Sequence, residues 1–130
     1  MFTSLVYVSS PVEELSDIAL AELWESSAKR NEESKITGAL YFGGDTFFQV
    51  IEGPDEAVLG LFEAISRDDR HKDVDILAEN DVASPAFRMW PMKLIDGRNS
   101  RVLKTKFDPR KLREMAPAKL SRLSFHLATL

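Results

Sequence analysis

The chain has 130 residues, 44% of them hydrophobic and 29% charged, which suits a single globular domain with a substantial core. It contains no cysteine and two histidines, His71 and His126, which excludes disulfides, thiolate nucleophiles and sulfur-tethered cofactors and argues against a histidine-built metal site. The net charge is −4, no apolar run approaches the roughly 18 residues of a membrane span, and no leader pattern is present, so the composition predicts a soluble cytoplasmic domain without a membrane segment.

Residues 2–8 (FTSLVYV) are β-branched and aromatic and predict a strand with Leu5 and Tyr7 on one face. Ser16 is placed to cap a helix, with Asp17 favourable against its positive end. Leu20, Leu23, Trp24, Ser27, Ala28 and Asn31 then recur at helical spacing. Asn31 extends this stripe with an amide that can donate and accept. Two apolar runs, 36–42 and 46–52, flank Gly43-Gly44-Asp45 and predict a hairpin. With a loop of two or four residues, Phe47, Gln49 and Ile51 share a face with Ile36, Gly38 and Leu40. The two-residue loop sets Gly38 opposite Gln49, and a three-residue loop reverses the parity.

Gly53-Pro54-Asp55 opens a second helix with proline in its first turn. Val58, Leu61, Phe62 and Ile65 form its apolar stripe, which Asp68 continues. That acid opposes the helix macrodipole; Arg67, Arg70 and His71 are placed to compensate it, and it is also placed to hold a ligand. Residues 74–78 and 90–95 predict two further strands, the second irregular or at an edge because Pro91 lacks a backbone donor.

The order β-α-β-β-α-β plus one strand predicts an α+β, ferredoxin-like sheet with two helices on one face. The strands are apolar on both sides, so the second face needs a cover. After a polar linker, a helix capped by Asp108-Pro109 and a second helix carrying Leu120, Leu123, Leu127 and Leu130 are expected to supply it, unless a partner subunit does. Residues 1–96 hold 8 basic and 19 acidic side chains, whereas residues 97–130 hold 9 basic and 2 acidic. Such a tail is expected to fold back on its acidic body rather than bind nucleic acid.

Tyr7, Gln49 and Asn31 are out of place on the face that the two helices should seal. An unpaired buried amide costs roughly 1–3 kcal/mol, so each needs a partner. They either bond to one another and to backbone, or line a pocket for a flat, polar-edged ligand with Leu23 and Ile65 as apolar jaws. Trp90 and Met92 read as core on spacing alone. Lys29, Arg30, Arg70 and His71 read as surface, although their clustering at two helix ends also suits a phosphate.

Tyr7 in LVYVSS, Asn31 before ITGALYF, Gln49 in FFQVIEG, the DDRH run at 68–71 and FRMWPM at 87–92 together resemble the BLUF family of blue-light sensors using flavin. The resemblance implies a flavin-binding unit over residues 1–96, of a short stand-alone type, and a helical extension over 97–130. It implies FAD, with FMN or riboflavin as options, held without a covalent bond between the two helices. It assigns Tyr7 and Gln49 to the photochemistry and Asn31 to the ring's polar edge. Leu23 and Ile65 would clamp the ring faces, and Lys29, Arg30, Asp68, Arg70 and His71 would contact the ring edge, ribityl chain or phosphate. Trp90 and Met92 would relay the signal, with Pro91 between them where the family usually has a small polar residue. It further implies a non-enzymatic sensor, self-associating and acting on a separate downstream protein. The competing readings are a flavin-free ferredoxin-like adaptor and an acylphosphatase-like hydrolase; the latter lacks an arginine near the first strand.

Overall fold

The computed structural model describes all 130 residues. The chain runs β1 (Phe2–Pro11), α1 (Asp17–Glu33), β2 (Thr37–Phe42), β3 (Phe47–Pro54), α2 (Asp55–Ser66), β4 (His71–Val82), β5 (Lys93–Asp96), α3 (Arg101–Lys106), α4 (Pro109–Arg113) and α5 (Pro117–Thr129). The strands form one sheet in the order β4-β1-β3-β2-β5. Neighbours are antiparallel except for the parallel β2–β5 pair at one edge. Each βαβ crossover spans a strand of the other, which is the ferredoxin-like arrangement. No helix is long and apolar enough to cross a membrane.

Local chemistry explains the element ends. The Ser16 hydroxyl accepts the Ala19 N–H at 3.1 Å and caps α1. Pro54 is the N-cap of α2, one position earlier than the sequence predicts, and Asp55 and Glu56 occupy the first turn. The β2–β3 hairpin pairs Phe42 with Phe47, so its loop has four residues, closed by the Gly43 N–H on the Thr46 carbonyl at 2.9 Å. Gly44 takes φ +100°, which an L side chain rarely tolerates. The four-residue loop keeps the expected parity but corrects the pairing: Leu40, not Gly38, faces Gln49, and Gly38 faces Ile51. A Cβ on Gly38 would lie 2.0 Å from the Val50 carbonyl oxygen, so close strand approach explains this glycine.

Alternation sorts the strand residues between two faces. Leu5, Tyr7 and Ile51 join Val58, Leu61 and Ile65 of α2, and Leu40, Phe42 and Phe47 join Leu20 of α1. On the other face, Val6, Val8, Ala39, Tyr41, Phe48 and Val50 meet Phe107, Leu112, Leu120 and Leu127. The helical extension therefore covers the second face, as the two-sided apolar pattern requires. Phe107 is its keystone: its ring stacks on Tyr41 at 4.3 Å and meets Phe48 at 5.1 Å. Arg113 pairs with Asp75 at 2.7 Å and Arg98 with Asp17 at 2.7 Å, which tie the basic extension to the acidic body.

Two local expectations are corrected. The stretch anticipated as a polar linker contains α3, capped by the Ser100 hydroxyl accepting from the Leu103 N–H at 3.1 Å. The last strand starts at Lys93 rather than at residue 90. Pro91 has no N–H for a ladder, so residues 90–92 stand outside it.

Candidate functional site

A cavity of about 640 Å³ opens between α1 and α2 above the central strands. Tyr7, Leu40, Phe47 and Gln49 form its floor, Leu23, Ser27 and Arg30 its α1 wall, and Ile65, Asp68, Arg70 and His71 its α2 side. The sheet places the first group because β1 and β3 are neighbours and Tyr7 and Gln49 are direct cross-strand partners. The helices place the rest because their apolar stripes face the sheet.

Tyr7 is 1% exposed and Gln49 7%. The Tyr7 hydroxyl donates to Gln49 Oε1, and Gln49 Nε2 approaches Met92 Sδ at 3.8 Å. Burial pushes the Tyr7 phenol far above its usual pKa; the Arg30 charge opposes this and Asp68 adds to it. The phenol is thus a neutral donor at any physiological pH, poised against a carboxamide whose two ends meet a strong and a weak partner.

Asn31 is fully buried, and its Nδ2 donates to the Pro91 carbonyl at 2.8 Å, while its Oδ1 has no partner. It stands behind the cavity, outside the lining residues, and grips the segment before β5. Lys29 is exposed and absent from the wall. It lies seven residues from Glu22 and three from Ser26, both of which line the cavity, so helical rotation sets it at the edge of the same face.

Arg30 lines the cavity, and its Nε is buried without a partner. Arg70 bonds both oxygens of Asp68, with Nη2 2.5 Å from Oδ2, and this holds the Asp68 carboxyl down at about 2. Arg70 thus compensates the Asp68 charge, and Asp68 also lines the cavity. His71 Nε2 lies 2.6 Å from the Ile65 carbonyl and Nδ1 3.1 Å from the Ser9 hydroxyl. A carbonyl only accepts, so Nε2 carries the proton and Nδ1 accepts from Ser9. This clamp binds the end of α2 to β1.

Trp90 and Met92 separate. Met92 is 2% exposed and packs with Leu40 and Phe47, whereas Trp90 is 47% exposed with the Lys93 ammonium 5.5 Å from its ring centre. Core packing therefore holds for Met92 and is corrected for Trp90. Two contributors were not anticipated. Trp24 donates its indole N–H to the Met92 carbonyl at 2.7 Å, and Ser9 orients His71. The seven-residue spacing of Trp24 and Asn31 puts both donors on one face of α1, which is the sequence signal for a shared target.

The family described as "BLUF: Sensors of blue-light using FAD" matches residues 2–93. The photoactivated adenylate cyclase subunit alpha of Euglena gracilis is 41% identical over 71 residues, 55% of this chain and 7% of that protein. The blue light- and temperature-regulated antirepressor BluF of Escherichia coli (strain K12) is 33% identical over 111 residues, 83% of this chain and 28% of that protein. The chain thus spans under a third of either relative. A solved structure of BlsA in its photo-activated state superposes with a TM-score of 0.84 at 26% identity, covering 100% of this chain and 96% of that one.

A ferredoxin-like sheet with a phenol–carboxamide pair under an interhelical cavity defines a flavin-dependent light-sensing domain. The chain belongs to the BLUF family. Its residues fit the family's cofactor: Leu23 and Ile65 offer apolar surfaces from opposite helices, and the buried, unpartnered Arg30 Nε offers a donor beside them.

Proposed function

We propose that the chain senses blue light through Tyr7 and Gln49 and passes the change to a separate protein through Met92, Trp90 and the elements that follow. The observation carrying this reading is the continuous run from the Tyr7 hydroxyl through the Gln49 carboxamide to Met92 Sδ. A bound flavin supplies the blue-light absorber and a strong one-electron oxidant on excitation.

The chain's residues do the rest. Tyr7 would give up and recover one electron and one proton, with Gln49 receiving and returning a proton, so no atom or electron is gained or lost over the cycle. What persists is the orientation or tautomer of the Gln49 carboxamide. One exchanged hydrogen bond is worth roughly 0.5–1.5 kcal/mol, enough to bias a poised element and too little to remodel a domain. The segment 90–92 is the fitting element, since it lies outside the sheet ladder and touches Gln49 through Met92.

Leu23 and Ile65 would hold the ring, with Arg30 at its edge. Arg70, His71 and Asp68 at the cavity rim would hold the chain beyond it, and the cationic Arg70 favours FAD or FMN over riboflavin. We read the domain division as residues 1–96 for sensing and 97–130 for output, and the chain as a non-enzymatic cytoplasmic sensor. Self-association would use α5, where Phe125 is 62% exposed. Difference absorption before and after blue light tests the reading on flavin-loaded protein. A red shift of the visible bands that reverses in the dark is expected, and unmoved bands overturn it.

A further inference from the structure

Glu52 carries a buried charge that the light-sensing site does not use. It lies on β3 three residues beyond Gln49, so strand alternation turns it to the opposite sheet face. There it is 4% exposed, and its Oε1 accepts the backbone N–H groups of Ala86 at 2.9 Å and Phe87 at 3.1 Å. Burial pushes the carboxyl pKa up and these two bonds pull it back down.

The two N–H groups begin a short segment that ends at the light-sensing site. The Phe87 side chain is 1% exposed in the core beneath α5. Its carbonyl accepts the Trp90 N–H at 2.8 Å, and the Trp90 carbonyl accepts the Gly38 N–H at 3.0 Å. The Pro91 and Met92 carbonyls accept from Asn31 and Trp24, and Met92 Sδ meets Gln49. One strand, β3, therefore grips both ends of the segment, through Glu52 on one face and Gln49 on the other, about 10 Å apart along the strand. A displacement of Met92 against Gln49 has to be absorbed between Phe87 and Met92, because Glu52 holds what precedes.

We propose that Glu52 is a positioning residue of the light response: from β3 it anchors the segment that presents Met92 to Gln49, and so sets how fast that segment returns after light. This rests on the light-sensing reading above. The grip at Ala86 and Phe87 is charge-assisted, roughly twice the strength of a neutral bond. Glu52→Gln keeps an acceptor of the same shape and removes the charge.

Two measurements on flavin-loaded protein test the proposal. In Glu52→Gln, amide exchange at Ala86 and Phe87 should accelerate about tenfold while the amides of Tyr7 and Gln49 keep their wild-type rates. The light-induced shift should keep its size, and its dark return should change by about threefold or more. Faster exchange with a return rate changed by less than that leaves Glu52 a merely structural clamp and overturns the proposal, as does unchanged exchange. If Glu52→Gln does not bind flavin, Ala86→Pro carries the test through exchange at Phe87 and the dark return, since it deletes one of the two donors and leaves the carboxylate. A wild-type chain without any light-induced shift defeats the light-sensing reading instead, and the exchange result still reports on the anchor.

Discussion

Tyr7 and Gln49 face each other across β1 and β3, and the Gln49 carboxamide divides its two ends between the Tyr7 hydroxyl and Met92 Sδ. A hydroxyl is a strong partner and a thioether a weak one. Turning the amide exchanges the two, so its orientation is a stored bit that the segment 90–92 can read. Tyr7→Phe removes the proton donor and nothing else from the cavity. The variant is expected to bind flavin and to show no light-induced band shift; a normal shift rejects the role of Tyr7.

Gln49→Leu should behave as a complement. Leucine fills similar volume without donors or acceptors, so flavin stays bound and the red-shifted state is lost. Absorption spectroscopy under blue light checks this, and a wild-type difference spectrum from the variant would remove Gln49 from the switch.

Asn31→Ala deletes the only side-chain donor to the Pro91 carbonyl and empties a fully buried site. The expected loss of stability is about 1–3 kcal/mol, read from urea unfolding at constant slope. Because the bond also steadies the approach to Met92, the dark return rate should change too. Lys29→Ala, on the exposed side of α1, should alter neither quantity.

Phe107→Ala removes the ring that stacks on Tyr41 and meets Phe48. A loss of about 3–5 kcal/mol is expected from the emptied volume. Thermal or urea unfolding measures it. A loss below 1 kcal/mol would mean that α3–α5 contribute little to holding the second sheet face.

Acid should act on the cavity rim through Asp68. Its carboxyl is held at about 2 by Arg70, below the ordinary value of 3.8. A depressed carboxyl contributes its stability above the unfolded value and loses it as pH falls through the folded one. Flavin retention should therefore hold down to about pH 4 and decline between there and about pH 2. The contribution is small because Arg70 is more than half exposed. Asp68→Asn should flatten that part of the profile.

The strand and helix faces were legible from local spacing. Leu5 and Tyr7 alternate as they do because a strand has period two, and Val58, Leu61 and Ile65 line up because a helix turns in 3.6 residues. The pair Tyr7 and Gln49 was legible for a related reason: polar groups at positions that periodicity assigns to a sealed face demand a partner.

Other features lay beyond the reach of spacing. The hairpin loop has four residues because Phe42 pairs with Phe47, and that register is a choice between strands rather than within one. Asn31 serves Pro91, 60 positions away, and Trp24 serves Met92, 68 positions away. Glu52 reads as an ordinary acid until the segment before β5 folds under it.

By itself, then, the order of residues determined the elements, the apolar faces and the polar residues that needed partners, because each follows from backbone period and solvation over a few positions. Only the tertiary structure decided which partners they found: Met92 inside and Trp90 outside, Asn31 on Pro91, Glu52 on Ala86 and Phe87. Those contacts join segments distant in the chain, and packing two helical layers on one sheet selects among alternatives that local propensity leaves equal.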